Sequence, residues 1–339
     1  MKTIAHLLDD PNIGGVTRGL MSHIEKLTDF SGRATVVNPL GVVPPRIDDD
    51  VAIIHYTPSW RKLPFLSLLR AQCNDKPIIF VEHSYTAAFE RLHVPNVRRF
   101  RQMLKLTYRL CDLVVAVSDE QGRWLVKKSI VPRSKLAVIR SAADNSQLLD
   151  IAPPARTEGP LRLLAYGRYC EQKGFDVLIE AMRLLPTGAA TLTLAGYGPD
   201  EAMLRERASD LASVEIRGLA TDIKTLLAEF DAVVIPSRYE AFGQVAVEAR
   251  MAARPVIASH VDGLIEQIND RCGLLVEPEN APALAGAIQQ LAKMNLAEMG
   301  AAGRASAIGH FEDHLRRWNV LLANAHRADF TPAELTLAA

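Results

Sequence analysis

The stretch Ala232-Val233-Val234-Ile235-Pro236-Ser237-Arg238-Tyr239-Glu240-Ala241-Phe242-Gly243-Gln244-Val245-Ala246-Val247-Glu248-Ala249 decides the reading of the chain. Four apolar, β-branched-rich residues followed by proline predict a buried strand that ends at Pro236. A short loop then carries Glu240, and a helix is expected to begin near Phe242 or Gly243. A helix start presents backbone N–H groups and the positive end of the helix dipole, which together favour phosphate or sugar oxygens. Gly243 lets a ligand approach the backbone. Glu248 falls little more than a turn into that helix. Two carboxylates so placed can each accept hydrogen bonds from the vicinal hydroxyls of a ribose or a hexose. On local chemistry alone, two solvated glutamates flanking a helix start fit the same residues.

Outward from this segment, short apolar strands alternate with helical patterns, the signature of parallel sheets with crossover helices. Strands are predicted at Thr3–Leu8, Ala34–Val37, Val51–His55, Pro77–Val81, Leu113–Val117 and Leu136–Arg140. Helices are expected at Val16–Thr28 and Pro64–Cys73. Ala152 to Pro160 holds three prolines and a glycine without periodicity and reads as a linker. Beyond it, strands at Leu161–Tyr166, Thr191–Ala195, Glu215–Arg217, Ala232–Pro236, Val256–Ser259 and Gly273–Val276 form a second set. Helices at Gly174–Leu185, Ala281–Lys293, Leu296–His310 and Phe311–His326 accompany them. The expectation is an α/β chain of two doubly wound, Rossmann-like domains: residues 1–155, residues 160–310, and a terminal helix and tail over 311–339 that could cross back to the first domain. Sheets of this kind place ligands at the carboxyl ends of their strands, and two side by side predict a cleft there.

Composition narrows the class. The 339 residues are 48% hydrophobic and 23% charged, ordinary globular values for two domains. The four cysteines form no Cys-x-x-Cys pair, which argues against a zinc site or a disulfide framework and fits a reducing cytosol. Asp9 and Asp10 interrupt the first apolar run, so Met1–Leu8 reads as a strand rather than an export signal. No stretch approaches the roughly 20 apolar residues of a membrane span. Net charge is zero, yet residues 1–155 carry 21 Lys and Arg against 15 Asp and Glu, which hints at an anionic partner for the first half. Gly196 to Glu201 lacks the third glycine of a dinucleotide fingerprint, no glycine-rich loop ends in Gly-Lys-Ser/Thr, and no histidine pair has zinc spacing.

The Pro236–Ala249 run, with Glu240 and Glu248 separated by seven residues, resembles the signature of glycosyltransferase family 4, the retaining GT-B enzymes. Tyr166-Gly167-Arg168 followed by Gln172-Lys173-Gly174-Phe175-Asp176 resembles that family's Gly-Arg…Lys-Gly element. Ala195 to Pro199 resembles its Gly-x-Gly-Pro turn, and Pro255 to Ser259 with Gly263 and Glu266 its next strand and loop. The first half matches through Gly14-Gly15-Val16 and the strand-end His83. The resemblance implies a GT-B fold and a retaining hexosyltransferase. Its donor would be a UDP- or GDP-sugar and its acceptor a glycan or lipid-linked sugar, in polysaccharide or cell-envelope synthesis. It implies that Arg168 and Lys173 clamp the diphosphate, with Gly167 beside them. Glu248 would hold the ribose, and Glu240 with the amides of Ala241, Phe242 and Gly243 the donor sugar. Gly14 and Gly15 would face the phosphate and His83 the sugar, although a plain tight turn and a structural histidine suit the same residues. No bound metal or other cofactor is implied, and no enzymic nucleophile. Two departures bear on donor choice: Arg140-Ser141-Ala142-Ala143-Asp144 stands where the family has Asn-Gly-Val-Asp, and Asp262-Gly263 where it has Gly-Gly. A non-catalytic sugar-nucleotide-binding subunit and a GT-B epimerase are the alternative readings.

One basic segment stands apart. Arg91, Arg98, Arg99, Arg101, Lys105 and Arg109 occur without an intervening acid, and Phe100, Met103, Leu104, Thr107, Tyr108 and Cys111 recur on another face. Residues 91–111 could rest on an anionic membrane surface, making a cytoplasmic enzyme peripheral to the bilayer, or could be a solvated face packed on its own sheet. No nucleic-acid motif accompanies the charge.

Overall fold

The computed structural model describes residues 2–9, 20, 23–27, 30–41, 43–155, 159–325 and 332. The chain divides into two compact units, Met1–Asp144 with His310–Ala339, and Asn145–Gly309.

The first unit is built on six parallel strands, β1 (Lys2–Leu8), β2 (Phe30–Val36), β3 (Val51–Ile54), β4 (Ile78–Glu82), β5 (Leu113–Ala116) and β6 (Leu136–Val138), in the order β2-β1-β3-β4-β5-β6. The inner strands β3, β4 and β5 are buried along their whole length, which is why they read as unbroken apolar runs. Edge strand β2 is mostly exposed, with Ser31, Gly32 and Arg33 following the buried Phe30, so the sequence pattern showed only its last residues. Helices α1 (Leu63–Gln72), α2 (Ala87–His93), α3 (Val97–Arg109) and α4 (Asp119–Lys127) connect the strands. Thr86, Asn96 and Ser118 cap α2, α3 and α4 by accepting from Phe89, Arg99 and Gln121 N–H. Of the predicted Val16–Thr28 helix, only part lies within the described residues, where 23–26 are helical.

The second unit holds β7 (Leu161–Arg168), α5 (Phe175–Arg183), β8 (Ala190–Tyr197), α6 (Glu201–Ala208), β9 (Val214–Arg217), α7 (Ile223–Ala228), β10 (Ala232–Ile235), α8 (Gln244–Met251), β11 (Val256–Ser259), β12 (Gly273–Val276), α9 (Ala281–Leu291) and α10 (Leu296–Ala307). Its parallel sheet runs β12-β11-β10-β7-β8-β9. Strand order therefore reverses between β7 and β10, the switch point at which doubly wound sheets bind ligands. The unit begins at Asn145, upstream of the proline-rich segment that reads as a linker. The reason is packing: Leu148 and Ile151 are buried with Leu164 and Val233, and Arg254 donates to Ala152 O at 2.8 Å.

A last helix, α11 (His310–Asn324), returns to the first unit. His310 Nε2 lies 3.0 Å from Ser141 O, and His314 Nδ1 lies 2.8 Å from Arg140 O. His314, Trp318, Leu321 and Leu322 are its buried residues.

Candidate functional site

In the second unit the predicted residues gather at the carboxyl ends of β7 and β10. Gly167 and Arg168 close β7, and Arg168 is exposed with no carboxylate partner among the described residues. A short 3-10 turn, Glu171–Lys173, follows. Its Lys173 Nζ donates to Glu240 Oε2 at 2.5 Å, with side chains only 19% and 12% exposed, so solvent screens the pair little. A methyl built on Gly167 would stand 3.8 Å from Lys173 Cε, which puts Arg168's strand end against the lysine stem.

The turn is bolted to the loop after β10. Arg238 N–H donates to Gln172 O at 2.8 Å, and Gln172 Nε2 donates to Tyr239 O at 3.1 Å. The Arg238 guanidinium forks onto Asp176 at 2.9 and 2.8 Å and reaches Glu279 at 3.0 Å. Burial opposes ionisation of Asp176, yet the Arg238 fork outweighs it and lowers the carboxyl pKa below its ordinary value. Gly174, at φ 63°, permits this junction, because a β-carbon there would lie 2.1 Å from Pro236 O.

Helix α8 starts one residue later than the apolar pattern suggests, at Gln244, with Gly243 as N-cap at φ 96°. Glu248 is buried on its first turns and accepts from Tyr166 Oη at 2.6 Å. Ala241 and Phe242 are buried in the loop, pinned by Gln267, whose Nε2 donates to Phe242 O at 2.5 Å. Arg250 in turn holds Gln267 Oε1 at 2.9 Å. The Asp262-Gly263 departure keeps the backbone a glycine pair would supply. Asp262 adopts φ 40°, its Oδ2 accepts from Glu240 N–H at 3.2 Å, and a β-carbon on Gly263 would meet Ala241 O at 2.5 Å.

The site thus brings together Arg168, Lys173, Gly167, Glu240, Ala241, Phe242, Gly243 and Glu248. His83 belongs to the first unit, half-buried just past β4. The preceding Glu82 is fully buried and accepts from Ser84 and Tyr85 N–H at 2.7 and 2.9 Å and from Tyr108 Oη. Burial raises the Glu82 pKa. Gly14 and Gly15 lie outside the described residues. Tyr166, Arg238, Asp262 and Gln267 were not assigned from sequence. Each acts through a partner distant in the chain; Tyr166 and Arg238 stood inside the quoted motifs without a role, Asp262 showed as the altered glycine pair, and Gln267 left no signal.

Two parallel six-stranded sheets and a ligand site of this make-up define a GT-B glycosyltransferase. Family comparisons agree: residues 160–294 match "Glycosyl transferases group 1" and residues 14–147 match "Glycosyltransferase Family 4". A phosphatidyl-myo-inositol mannosyltransferase of Mycolicibacterium smegmatis is 31% identical over 291 residues, 83% of this chain and 70% of that protein. A Mycobacterium tuberculosis glycogen synthase is 36% identical over 231 residues, 65% of this chain, and the match spans 56% of that relative's length. The Anabaena HepE structure in complex with UDP-glucose superposes with TM-score 0.78 at 18% identity, covering 96% of this chain and 100% of HepE. The chain belongs to the group 1, family 4 glycosyltransferases.

Proposed function

We propose that the protein moves a hexose, with retention of configuration, from a UDP- or GDP-sugar to a glycan or lipid-linked acceptor. The observation that carries this reading is the set Lys173–Glu240 and Tyr166–Glu248, held beside Arg168 at the switch point of one parallel sheet. The ammonium of Lys173 has three donors. One is spent on Glu240, which leaves others for a diphosphate oxygen. Arg168 supplies a second cation with no carboxylate among the described residues to neutralise it. Together they stabilise charge on the departing diphosphate in place of a metal ion. Glu248, oriented by Tyr166, holds the ribose hydroxyls. Glu240 and the loop amides of Ala241 to Gly243 hold the hexose. The acceptor hydroxyl attacks the anomeric carbon on the face the diphosphate leaves, and its proton passes to the departing phosphate oxygen. The UDP-glucose held by HepE and the mannosyl transfer in the mycobacterial relative's name support a sugar nucleotide as donor.

A thermal-shift screen of UDP- and GDP-sugars identifies the donor, because a ligand that binds only the folded state raises its stability. Arg168→Ala and Lys173→Ala are each expected to abolish that shift and to lower transfer by about 10²–10³-fold. Unchanged turnover in both variants would reject the clamp.

A lipid-linked acceptor is favoured by the surface around α3. No helix among the described residues is long and apolar enough to cross a membrane. Trp60, Leu92 and Leu106 are nonetheless exposed near basic side chains, with the Arg99 guanidinium 5.8 Å from the Trp60 ring centre. Apolar tips among cations suit an anionic bilayer surface.

A further inference from the structure

Three histidines form a file along the carboxyl ends of neighbouring strands in the first unit. His6 lies opposite Ile53 across β1 and β3, and Ile54 lies opposite Phe80 across β3 and β4. His55 is two residues beyond Ile53, and His83 is two beyond Val81. Side chains alternate with period two, so the three rings leave the same face of the sheet, each a step further along. His6 Nδ1 lies 3.0 Å from His55 Nε2, and His55 Nδ1 lies 3.0 Å from His83 Nε2. Both ring pairs are stacked with centroids 5.3 Å apart. Nitrogens in direct contact leave no room for a metal ion, and no metal-binding cluster occurs among the described residues.

Each of these contacts needs one proton and one lone pair, and a neutral imidazole has one N–H. The three tautomers are therefore not independent. Either every ring donates toward His6, leaving His6 with an unshared Nε2–H and His83 with a bare Nδ1, or every ring donates toward His83, leaving His6 Nε2 bare and His83 with an Nδ1–H. The His6 ring is 1% exposed, and its Nε2 has no partner among the described residues. A methyl built on Gly32 would lie 3.3 Å from that nitrogen and 3.0 Å from Ile24 Cγ1, and the His23 ring stands edge-on to His6 with centroids 6.0 Å apart. An orphaned buried N–H is rarer in proteins than an under-used acceptor.

We infer that the file is polarised toward His83, so that His6 and His55 are positioning residues which make His83 present an Nδ1–H donor. Burial keeps the rings uncharged at neutral pH: it lowers His83 to about 4 and His6 to about 3, and takes His55 well below its ordinary value. His83 then offers a neutral hydrogen bond to a sugar or phosphate oxygen and does not remove the acceptor proton. That use of His83 rests on the proposed transfer, whereas the polarity of the file does not.

Long-range ring 15N–1H spectra of the full chain, labelled at histidine and recorded at neutral pH without substrate, read the tautomers directly. His83 is expected as the Nδ1–H form. In His6→Phe, which keeps the bulk but removes the nitrogens, the His83 signals should move toward the Nε2–H form although His83 does not touch residue 6. Should that variant fold poorly, His83→Asn reads the same coupling in reverse, from the His6 signals. An Nε2–H His83 in the wild type, or ring signals indifferent to the change at the other end, would overturn the inference. In transfer assays His6→Phe should lower kcat while donor KM stays unchanged. Expected tautomers in a protein that transfers nothing from any donor would instead sink the transfer reading and leave the file standing.

Discussion

Asp262 holds φ 40°, a backbone region sparsely used by residues other than glycine, although aspartate tolerates it better than most. Its carboxylate compensates by accepting the Glu240 N–H, and Gly263 N–H donates back to Glu240 O at 3.0 Å, so the loop is held to the Asp262-Gly263 turn from both sides of Glu240. Asp262→Ala keeps the strained backbone and loses the bond. It should destabilise the protein by about 1–3 kcal/mol in denaturant unfolding and weaken the donor-induced thermal shift. Asp262→Gly relieves the strain and should stay nearer to wild-type stability. An alanine variant with unaltered stability and donor shift would refute this role. The Asp-Gly pair was visible in the sequence as an altered signature, but its left-handed backbone was not, since nothing local demands it. Likewise Glu240, Glu248 and Lys173 were legible as motif members. The Tyr166 hydroxyl on Glu248, 82 positions away in sequence, could not be seen, because a hydrogen bond from a strand to a helix so distant in the chain leaves no periodic trace.

At the level of elements, buried parallel strands were easy to read because both faces are apolar. Edge strand β2 was read only in part because solvent lets its outer face be polar. Helix α3 shows why amphipathicity alone does not fix a role. Met103, Leu104, Thr107 and Tyr108 are buried against its own unit, so the apolar stripe is already used. Arg101 is bound in two hydrogen bonds, at 2.7 and 2.6 Å, to the buried Glu90 and belongs to the packing. Of the exposed cations Arg91, Arg98, Arg99 and Arg109, the first turn of α3 carries Arg98 and Arg99. Reversing both to glutamate should reduce co-sedimentation with vesicles rich in anionic lipid, at about 1 kcal/mol per basic residue, and added salt should reduce the wild type similarly. Equal sedimentation of wild type and variant would remove α3 from the account of the acceptor.

On the scale of the whole molecule, five histidines, His6, His23, His55, His83 and His314, line one cavity of about 40 Å³ in the first unit. Burial is the leading cause of the lowered pKa of each: His6 to about 3, His83 and His314 to about 4, His23 and His55 well below the usual value of 6.5. Unfolded rings take up protons below pH 6.5 while the folded ones stay neutral. Stability is therefore fully present above 6.5 and is lost as the pH falls from there toward about 4, at up to roughly 1.4 kcal/mol per pH unit for each ring. Denaturant midpoints measured across that window should fall, and His314→Gln should flatten the slope. A midpoint that does not change between those limits would show that the rings are not held neutral. The return of α11 to the first unit has a practical consequence for dissecting the molecule. Residues 145–309 form an insertion within a discontinuous domain. A fragment ending at Asp144 would leave the histidine-bearing side of its sheet stripped of His314 and Trp318, whereas an excised 145–309 segment would carry every strand of its own sheet.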